Sequence, residues 1–285
     1  MTSLPPMLLN GRNPAASDLD WLLASRALAF GEGVFTSIRI TAGQAVFLED
    51  HLLRLQSGLA ALLYPSEAVD WLLLEKEIKT LSHQLEEGML KVMLLAGPGG
   101  VGYRRAKKQV WYRFIRPRLL SINNQAYQAG IACWWQACPG SNPESSSKHL
   151  NRLSQTLASE GCPNHFAEAL QYNADGKVSE AIARNVFWFA NGCWYTPSLQ
   201  TGALAGVMRR QLLSHLTSTS QIVQVKSDLE ALKQAEEVFV CNSLQGIWPV
   251  TSLQDINGYL ARWPIGPQTQ QLMAVFHPQL GLPLN

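Results

Sequence analysis

Charge is scarce in this sequence. Lysine, arginine, aspartate and glutamate make up 15% of its 285 residues, and 23 basic against 21 acidic side chains leave a net charge of +2. So small a surplus gives no broad attraction to nucleic acid or to a membrane surface, and the expected partner is a small molecule. Long hydrophobic runs are missing too. No stretch approaches the roughly 18 apolar residues of a membrane-spanning helix. The opening "MTSLPPMLLNGRN" has no basic segment followed by an apolar one, so the expected location is the cytoplasm. Cys133, Cys138, Cys162, Cys193 and Cys241 are odd in number and widely spaced. That pattern excludes the paired spacing of a zinc site or a redox motif and suits reduced, mostly buried thiols. His-Glu-x-x-His, Gly-x-Ser-x-Gly and a P-loop lysine are all absent, and the six histidines are scattered, so no metal is expected.

What is present is apolar patterning. With 47% hydrophobic residues the chain can bury a sizeable core, and its length suits two modest domains. The segments "GVFTSIRI", "QAVFLE", "LKVMLLAG" and "KQVWYRFIRP" read as strands. Apolar residues at helical spacing run from Leu52 to Leu63 and from Trp71 to Leu85. Together these predict a small α+β domain over residues 1–117. The polar stretch "RPRLLSINNQ" marks the link to a larger domain over residues 118–285. There "GIACWWQAC", "AEALQY", "VSEAIARNVFWFA", "CWYTP" and "EVFVCNSLQGIWPV" read as strands. "NADG" and "NG" signal hairpins, and helices are expected after the loop "PGSNPESSS", after Gly206 and over "LEALKQAE". The fold class is α/β (α+β), with a mostly β core flanked by helices in the second domain.

Several residues stand out chemically. Lys148 follows three serines and opens an expected amphipathic helix through Leu150, Leu153 and Leu157. Glu180 shares a strand face with Val178 and Ile182, an expensive place for a carboxylate unless a cation or hydrogen bonds meet it. Asn185 stands five residues on, where it can support whatever Glu180 binds. Gly206, Val207 and Met208 begin a helix, whose N–H groups and dipole favour an anion. Asn242 and Ser243 end an apolar strand with hydrogen-bonding side chains, and Arg54 on its helix is a candidate phosphate clamp. Gly97, Gly99 and Gly102 have the Gly-x-Gly-x-x-Gly spacing. A basic strand follows them instead of a helix, which excludes a dinucleotide fingerprint and leaves a glycine-rich loop carrying Arg104, Arg105, Lys107 and Lys108.

In order along the chain, eight phrases resemble the pyridoxal-phosphate enzymes of fold type IV, the class IV aminotransferase family. They are "NG" at Asn10, "FGEGVFTSIR" from Phe30, "HLLRL" from His51, "LKVMLLAGPGGVGY" from Leu90, "KHLNRL" from Lys148, "VSEAIARNVFW" from Val178, "YTPSLQTGALAGVMR" from Tyr195 and "EEVFVCNSLQGIWPV" from Glu236. The resemblance covers nearly the whole chain. It implies a two-domain homodimer with pyridoxal 5′-phosphate as cofactor. Lys148 would be the covalent anchor and acid/base, and Glu180, supported by Asn185, the carboxylate that holds the pyridine nitrogen protonated. Arg54, Gly206, Val207, Met208, Asn242 and Ser243 would hold the phosphate, and Thr36, Tyr103 and Arg104 would meet substrate. The wording "KHLNR" and "CNSL" is closest to the family's lyases, which turn 4-amino-4-deoxychorismate into 4-aminobenzoate and pyruvate for folate synthesis. The alternative is transamination of D-amino or branched-chain amino acids. Thr36 stands where many aminotransferase members carry Glu. Ser25 replaces the Asp that often precedes the arginine of "SRAL". Val101 replaces a common lyase arginine, for which Arg104 or Arg105 could substitute.

Overall fold

The computed structural model describes residues 4–138 and 146–283. The expected loop "PGSNPESSS" therefore lies, as far as residue 145, outside the described residues. Residues 4–121 with 147–151 form one compact unit, and residues 122–138, 146 and 152–283 form the other. The five residues around Lys148 thus join the first unit, whereas the sequence reading assigned everything beyond 117 to the second.

The first unit holds β1 (Leu8–Leu9), α1 (Asp18–Leu23), α2 (Arg26–Phe30), β2 (Gly33–Thr41), β3 (Gln44–Ala45), α3 (Leu48–Ala61), α4 (Trp71–Leu85), β4 (Gly88–Ala96) and β5 (Trp111–Arg118). Its sheet has the order β1-β5-β4-β2-β3, antiparallel throughout. Alternation sends Val34, Ile38 and Ile40 to one face of β2, with Leu90, Val92 and Leu94 beside them on β4. Leu55 and Leu59 of α3 and Leu74, Ile78 and Leu81 of α4 cover that face, and all of these side chains are buried. Each contributes about 1.5–3 kcal/mol of burial. The expected strand "QAVFLE" is cut short. Phe47 adopts a left-handed conformation (φ 54°), which ends the β3 hairpin and lets α3 begin at Leu48, earlier than Leu52.

The second unit holds α5 (Asn124–Gln128), β6 (Ile131–Ala137), α6 (Leu153–Glu160), β7 (Glu168–Tyr172), β8 (Val178–Ala181), β9 (Asn185–Ala190), β10 (Cys193–Pro197), α7 (Val207–Thr219), β11 (Ile222–Val225), α8 (Leu229–Lys233), β12 (Glu237–Asn242), β13 (Gly246–Asp255), β14 (Gly258–Arg262) and α9 (Pro267–Phe276). Among the described residues its sheet runs β11-β10-β9-β12-β13-β6-β7-β8, with β14 on β13. Both hairpin signals are realised: "NADG" joins β7 to β8, and Asn191-Gly192, each with positive φ, joins β9 to β10. The segment "VSEAIARNVFWFA" is two strands and not one. A turn closed by the Ala181 N–H to the Arg184 carbonyl at 2.8 Å separates β8 from β9. No helix among the described residues is long and apolar enough to cross a membrane.

Candidate active site

Thr36 is the polar interruption on the core face of β2, and it is fully buried. His51 and Arg54, three residues apart on α3, share the helix face that meets it. The Thr36 hydroxyl lies 2.5 Å from His51 Nδ1, and Arg54 Nη2 donates to the same hydroxyl. Arg54 Nη2 is also 3.4 Å from His51 Nδ1. A guanidinium only donates, so Nδ1 must be the unprotonated ring nitrogen. The Thr36 hydroxyl then accepts from Arg54 and donates to His51. Burial, reinforced by the Arg54 charge, pushes the His51 pKa well below its ordinary value and keeps the ring neutral. The buried Thr36 hydroxyl, expected to meet substrate, is engaged with both Arg54 and His51.

Lys148 does not open a helix. Residues 148–150 run beside the start of β2: Phe35 N–H donates to the Lys148 carbonyl at 2.9 Å, Leu150 N–H donates to Gly33 O at 2.9 Å, and His149 bridges Val34. The helix begins only at Leu153. The reason is tertiary: the backbone of residues 148–150 pairs with Gly33 and Phe35 on β2, and Leu150 packs so closely on Gly33 that a Cβ there would collide with it. Lys148 Nζ lies 5.0 Å from the centre of the Phe35 ring, and Lys91 Nζ lies at the same distance from that ring. Phe35 and Thr36 point to opposite faces of β2.

The glycine-rich loop is fastened from below. Arg26 donates to the carbonyls of Gly102 (2.9 Å), Tyr103 (3.3 Å) and Gly99 (3.4 Å) and pairs with Glu32 at 2.9 Å. Burial opposes the Glu32 charge, but Arg26, the Tyr64 hydroxyl and Arg105 together hold its carboxyl at about 2. Arg105 also donates to Leu62 O at 2.7 Å and lies over the Tyr64 ring. Arg105 is thus a structural cation and no substitute for the missing arginine at Val101. Tyr103 and Arg104 project from the loop and are exposed. Ser25 takes over as the N-cap of α2, accepting from Leu28 N–H, a job that Asp performs equally well.

In the second unit Glu180 and Asn185 sit at the two ends of the β8–β9 turn, both buried. Glu180 Oε2 accepts from Leu204 N–H at 2.7 Å, and Asn185 Nδ2 donates to Leu204 O at 2.8 Å. Two residues further, Gly206 caps α7 with no side-chain hydrogen bond and no acid in the first turn. A Cβ there would collide with Asn185 Oδ1, so a larger residue would require the amide to turn away or the helix start to shift. The buried Val207 and Met208 carry the first N–H groups of that helix end. Asn242 departs from expectation: its Oδ1 accepts from Leu244 and Gln245 N–H, and its Nδ2 donates to Ala183 O at 3.3 Å. It builds the β12–β13 turn that presents the buried Ser243.

Some residues escaped the sequence reading. Arg152 lies near enough to Glu180 for that charge to raise its pKa against the lowering by burial, and the signal was at hand, four positions after Lys148 in "KHLNR". Arg184 and Glu168 form a buried pair, Nε to Oε2 3.5 Å, under the turn that carries Glu180 and Asn185. Burial pushes the Glu168 carboxyl up to about 7, with Arg184 and the Ala183 N–H pulling the other way. Nothing in the local sequence of Glu168 marks it.

The first unit carries an amine beside an aromatic ring and a guanidinium. The second carries a buried carboxylate, a group that favours a cationic partner, and a helix end without a side-chain cap, which favours an anion. The sequence pattern described as amino-transferase class IV matches residues 33–253, and the chain belongs to that family. Within it, the chain is 30% identical over 262 residues to the aminodeoxychorismate lyase of Vibrio harveyi, covering 88% of this chain and 93% of that one. It is similar to the crystal structure of 4-amino-4-deoxychorismate lyase from Pseudomonas aeruginosa, with 29% identity, a TM-score of 0.85, and coverage of 95% and 98% of the two chains. A branched-chain-amino-acid aminotransferase of Escherichia coli is 24% identical over 285 residues, 94% of this chain and 90% of that one.

Proposed function

We propose that this protein is a pyridoxal-phosphate-dependent lyase that converts 4-amino-4-deoxychorismate into 4-aminobenzoate and pyruvate, a step of folate synthesis. The observation that carries the reading is near-full-length similarity to aminodeoxychorismate lyases at 30% and 29% identity, above the 24% to an aminotransferase of the same fold. Lys148, Glu180 and Gly206, an amine, a buried carboxylate and a helix start suited to an anion, support it.

When bound, the cofactor supplies an aldehyde for amines and a protonated ring that accepts electrons. Lys148 Nζ would hold the aldehyde carbon, and Glu180 the ring nitrogen. Arg54, the N–H groups of Val207 and Met208 behind Gly206, and the Ser243 hydroxyl would hold the phosphate. Asn185 fixes the Leu204–Gly206 backbone, and Asn242 fixes the turn before Ser243. Tyr103 and Arg104 would meet the substrate, the arginine at a carboxylate. The free Lys148 Nζ would take the proton from the amine-bearing ring carbon of the substrate and return one to the departing enolpyruvate. The six-membered ring becomes aromatic as pyruvate leaves.

The proposed enzyme works as a homodimer in the cytoplasm. Free thiols at Cys133, Cys162, Cys193 and Cys241 suit a reducing compartment. Exposed Leu19, Leu22, Leu23, Leu28 and Phe30 on α1 and α2 suit burial against a second copy. The test is to supply aminodeoxychorismate, made in situ from chorismate and glutamine, and to follow both products, with amino acids and 2-oxoglutarate in parallel. Equal release of pyruvate and 4-aminobenzoate is expected. Amino transfer to 2-oxoglutarate without pyruvate release from aminodeoxychorismate overturns the lyase reading.

A further inference from the structure

The partners of Arg54 explain how it can serve an anion at all. An arginine stem has several rotatable bonds, and a guanidinium left to wander binds phosphate weakly. Here one of its nitrogens is tied to a hydroxyl that is itself tied. Thr36 is β-branched and stiff about χ1, sits on a central strand and is fully buried. Its lone hydroxyl hydrogen points to His51 Nδ1, so its lone pairs point to Arg54.

We infer that His51 is a positioning residue for the cofactor phosphate: acting through the Thr36 hydroxyl, it fixes the orientation in which Arg54 presents its remaining donors. The inference rests on the proposed phosphate role of Arg54. Three observations favour it over a purely structural histidine. His51 Nε2 is buried and makes no hydrogen bond among the described residues, so the ring is not retained to satisfy a second partner. A buried, half-satisfied imidazole destabilises the fold, and an apolar side chain would pack there at lower cost. Among the described residues, the polar contacts of its Nδ1 are with Thr36 and Arg54. The ring also stays neutral, because its burial and the facing Arg54 charge both disfavour protonation. A neutral Nδ1 is what this geometry requires, since a protonated one would compete with Arg54 for the hydroxyl.

The test separates phosphate from the rest of the cofactor. Full-length apoprotein is titrated with pyridoxal 5′-phosphate and, in parallel, with pyridoxal, followed by the absorbance of the bound ligand. Both carry the aldehyde that Lys148 takes, so the ratio of their dissociation constants isolates the phosphate. Three variants are compared with the parent: His51→Phe, Thr36→Val and, as the reference, Arg54→Met. The preference for the phosphorylated ligand is expected to fall about tenfold or more in all three, with pyridoxal affinity unchanged within about twofold. Thr36→Ser and His51→Asn, which keep a hydroxyl and an acceptor, should recover part of it. If only Arg54→Met loses the preference, the relay through His51 is overturned and the phosphate role of Arg54 stands. If none of the three loses it, that role falls, and the inference falls with it. Equal weakening of both ligands in His51→Phe and Thr36→Val, with no recovery in the conservative pair, assigns the two residues to folding alone and also overturns the inference.

Discussion

Glu180 and Asn185 grip the same residue from its two peptide groups: the carboxylate accepts the Leu204 N–H at 2.7 Å while the amide donates to the Leu204 carbonyl at 2.8 Å. Carboxylate, amide and the start of α7 are therefore one rigid piece, and a ligand that meets one meets the others at a fixed spacing. Gly206→Ala tests this piece. A methyl group there collides with Asn185 Oδ1, so the amide must turn away or the helix start must shift. Pyridoxal-phosphate affinity should fall at least about tenfold, with a loss of stability of about 1–3 kcal/mol from overpacking. Ligand titration and urea unfolding of the apoprotein measure the two separately.

Glu168 predicts a pH dependence of stability. Its carboxyl is raised from 4.5 in the unfolded chain to about 7 in the fold, chiefly by burial. The folded state thus holds the proton more tightly. The resulting stabilisation is complete below about pH 4.5 and is lost as pH rises through about 7, a swing of up to roughly 3 kcal/mol. Glu168→Gln removes this titration. The difference in unfolding free energy between parent and variant should therefore change across pH 5 to 8, the parent losing ground. A constant difference across that window would refute the assignment.

Arg104 and Arg105 are neighbours with different jobs. Arg105→Ala deletes the pair with Glu32, the bond to Leu62 O and the stacking on Tyr64, and should cost about 1–2 kcal/mol of stability. Arg104→Ala should leave the melting temperature in place and raise KM for aminodeoxychorismate about tenfold or more, since charged hydrogen bonds to a carboxylate carry about 1.5–3 kcal/mol. Melting curves and steady-state kinetics on both variants would expose an exchange of these roles.

Glu237 is a buried cap remote in sequence from its helix. Its two carboxylate oxygens accept from Gln268 N–H at 3.0 Å and Thr269 N–H at 2.7 Å at the start of α9. Glu237→Ala leaves these donors without partners and should cost about 2–4 kcal/mol. The product ratio should stay as in the parent, because α9 carries none of the proposed site residues.

Sequence periodicity was a sound guide wherever one face is buried and the other is not. The spacing in α4 and the alternation in β2 and β4 are of that kind, and the Asn-Gly and Asp-Gly hairpins depend on backbone chemistry that those residues announce. The failures are tertiary. Residues 148–150 have the spacing of a helix, but backbone partners on Gly33 and Phe35 are available only in the folded unit and win them for the sheet. Likewise the turn inside "VSEAIARNVFW" contains no Gly or Pro. It is set by Glu168, Asn242 and Ala169 from other strands.

For the site, residue types were legible and their engagements were not. Glu180, Gly206 and Lys148 stood out because each is odd in its local setting. Thr36 and Asn242 have hydrogen bonds inside the fold that their local sequence did not announce, since a hydroxyl or an amide does not declare which of its hydrogen bonds are already taken. Glu168 and Arg184 meet across the fold, a pairing that no local pattern encodes.

Because residues 147–151 belong to the first unit while residues 122–138 and 152–283 belong to the second, the order of synthesis matters. A ribosome can finish every strand of the first sheet and still leave the upper edge of β2 bare until the lysine segment emerges. The amino-terminal unit is complete only after part of the next one has been made, and the segment that closes its edge carries the lysine proposed as the reactive amine. On that proposal, a nascent chain stalled before residue 147 would carry a nearly finished domain without its amine, and activity would not precede assembly.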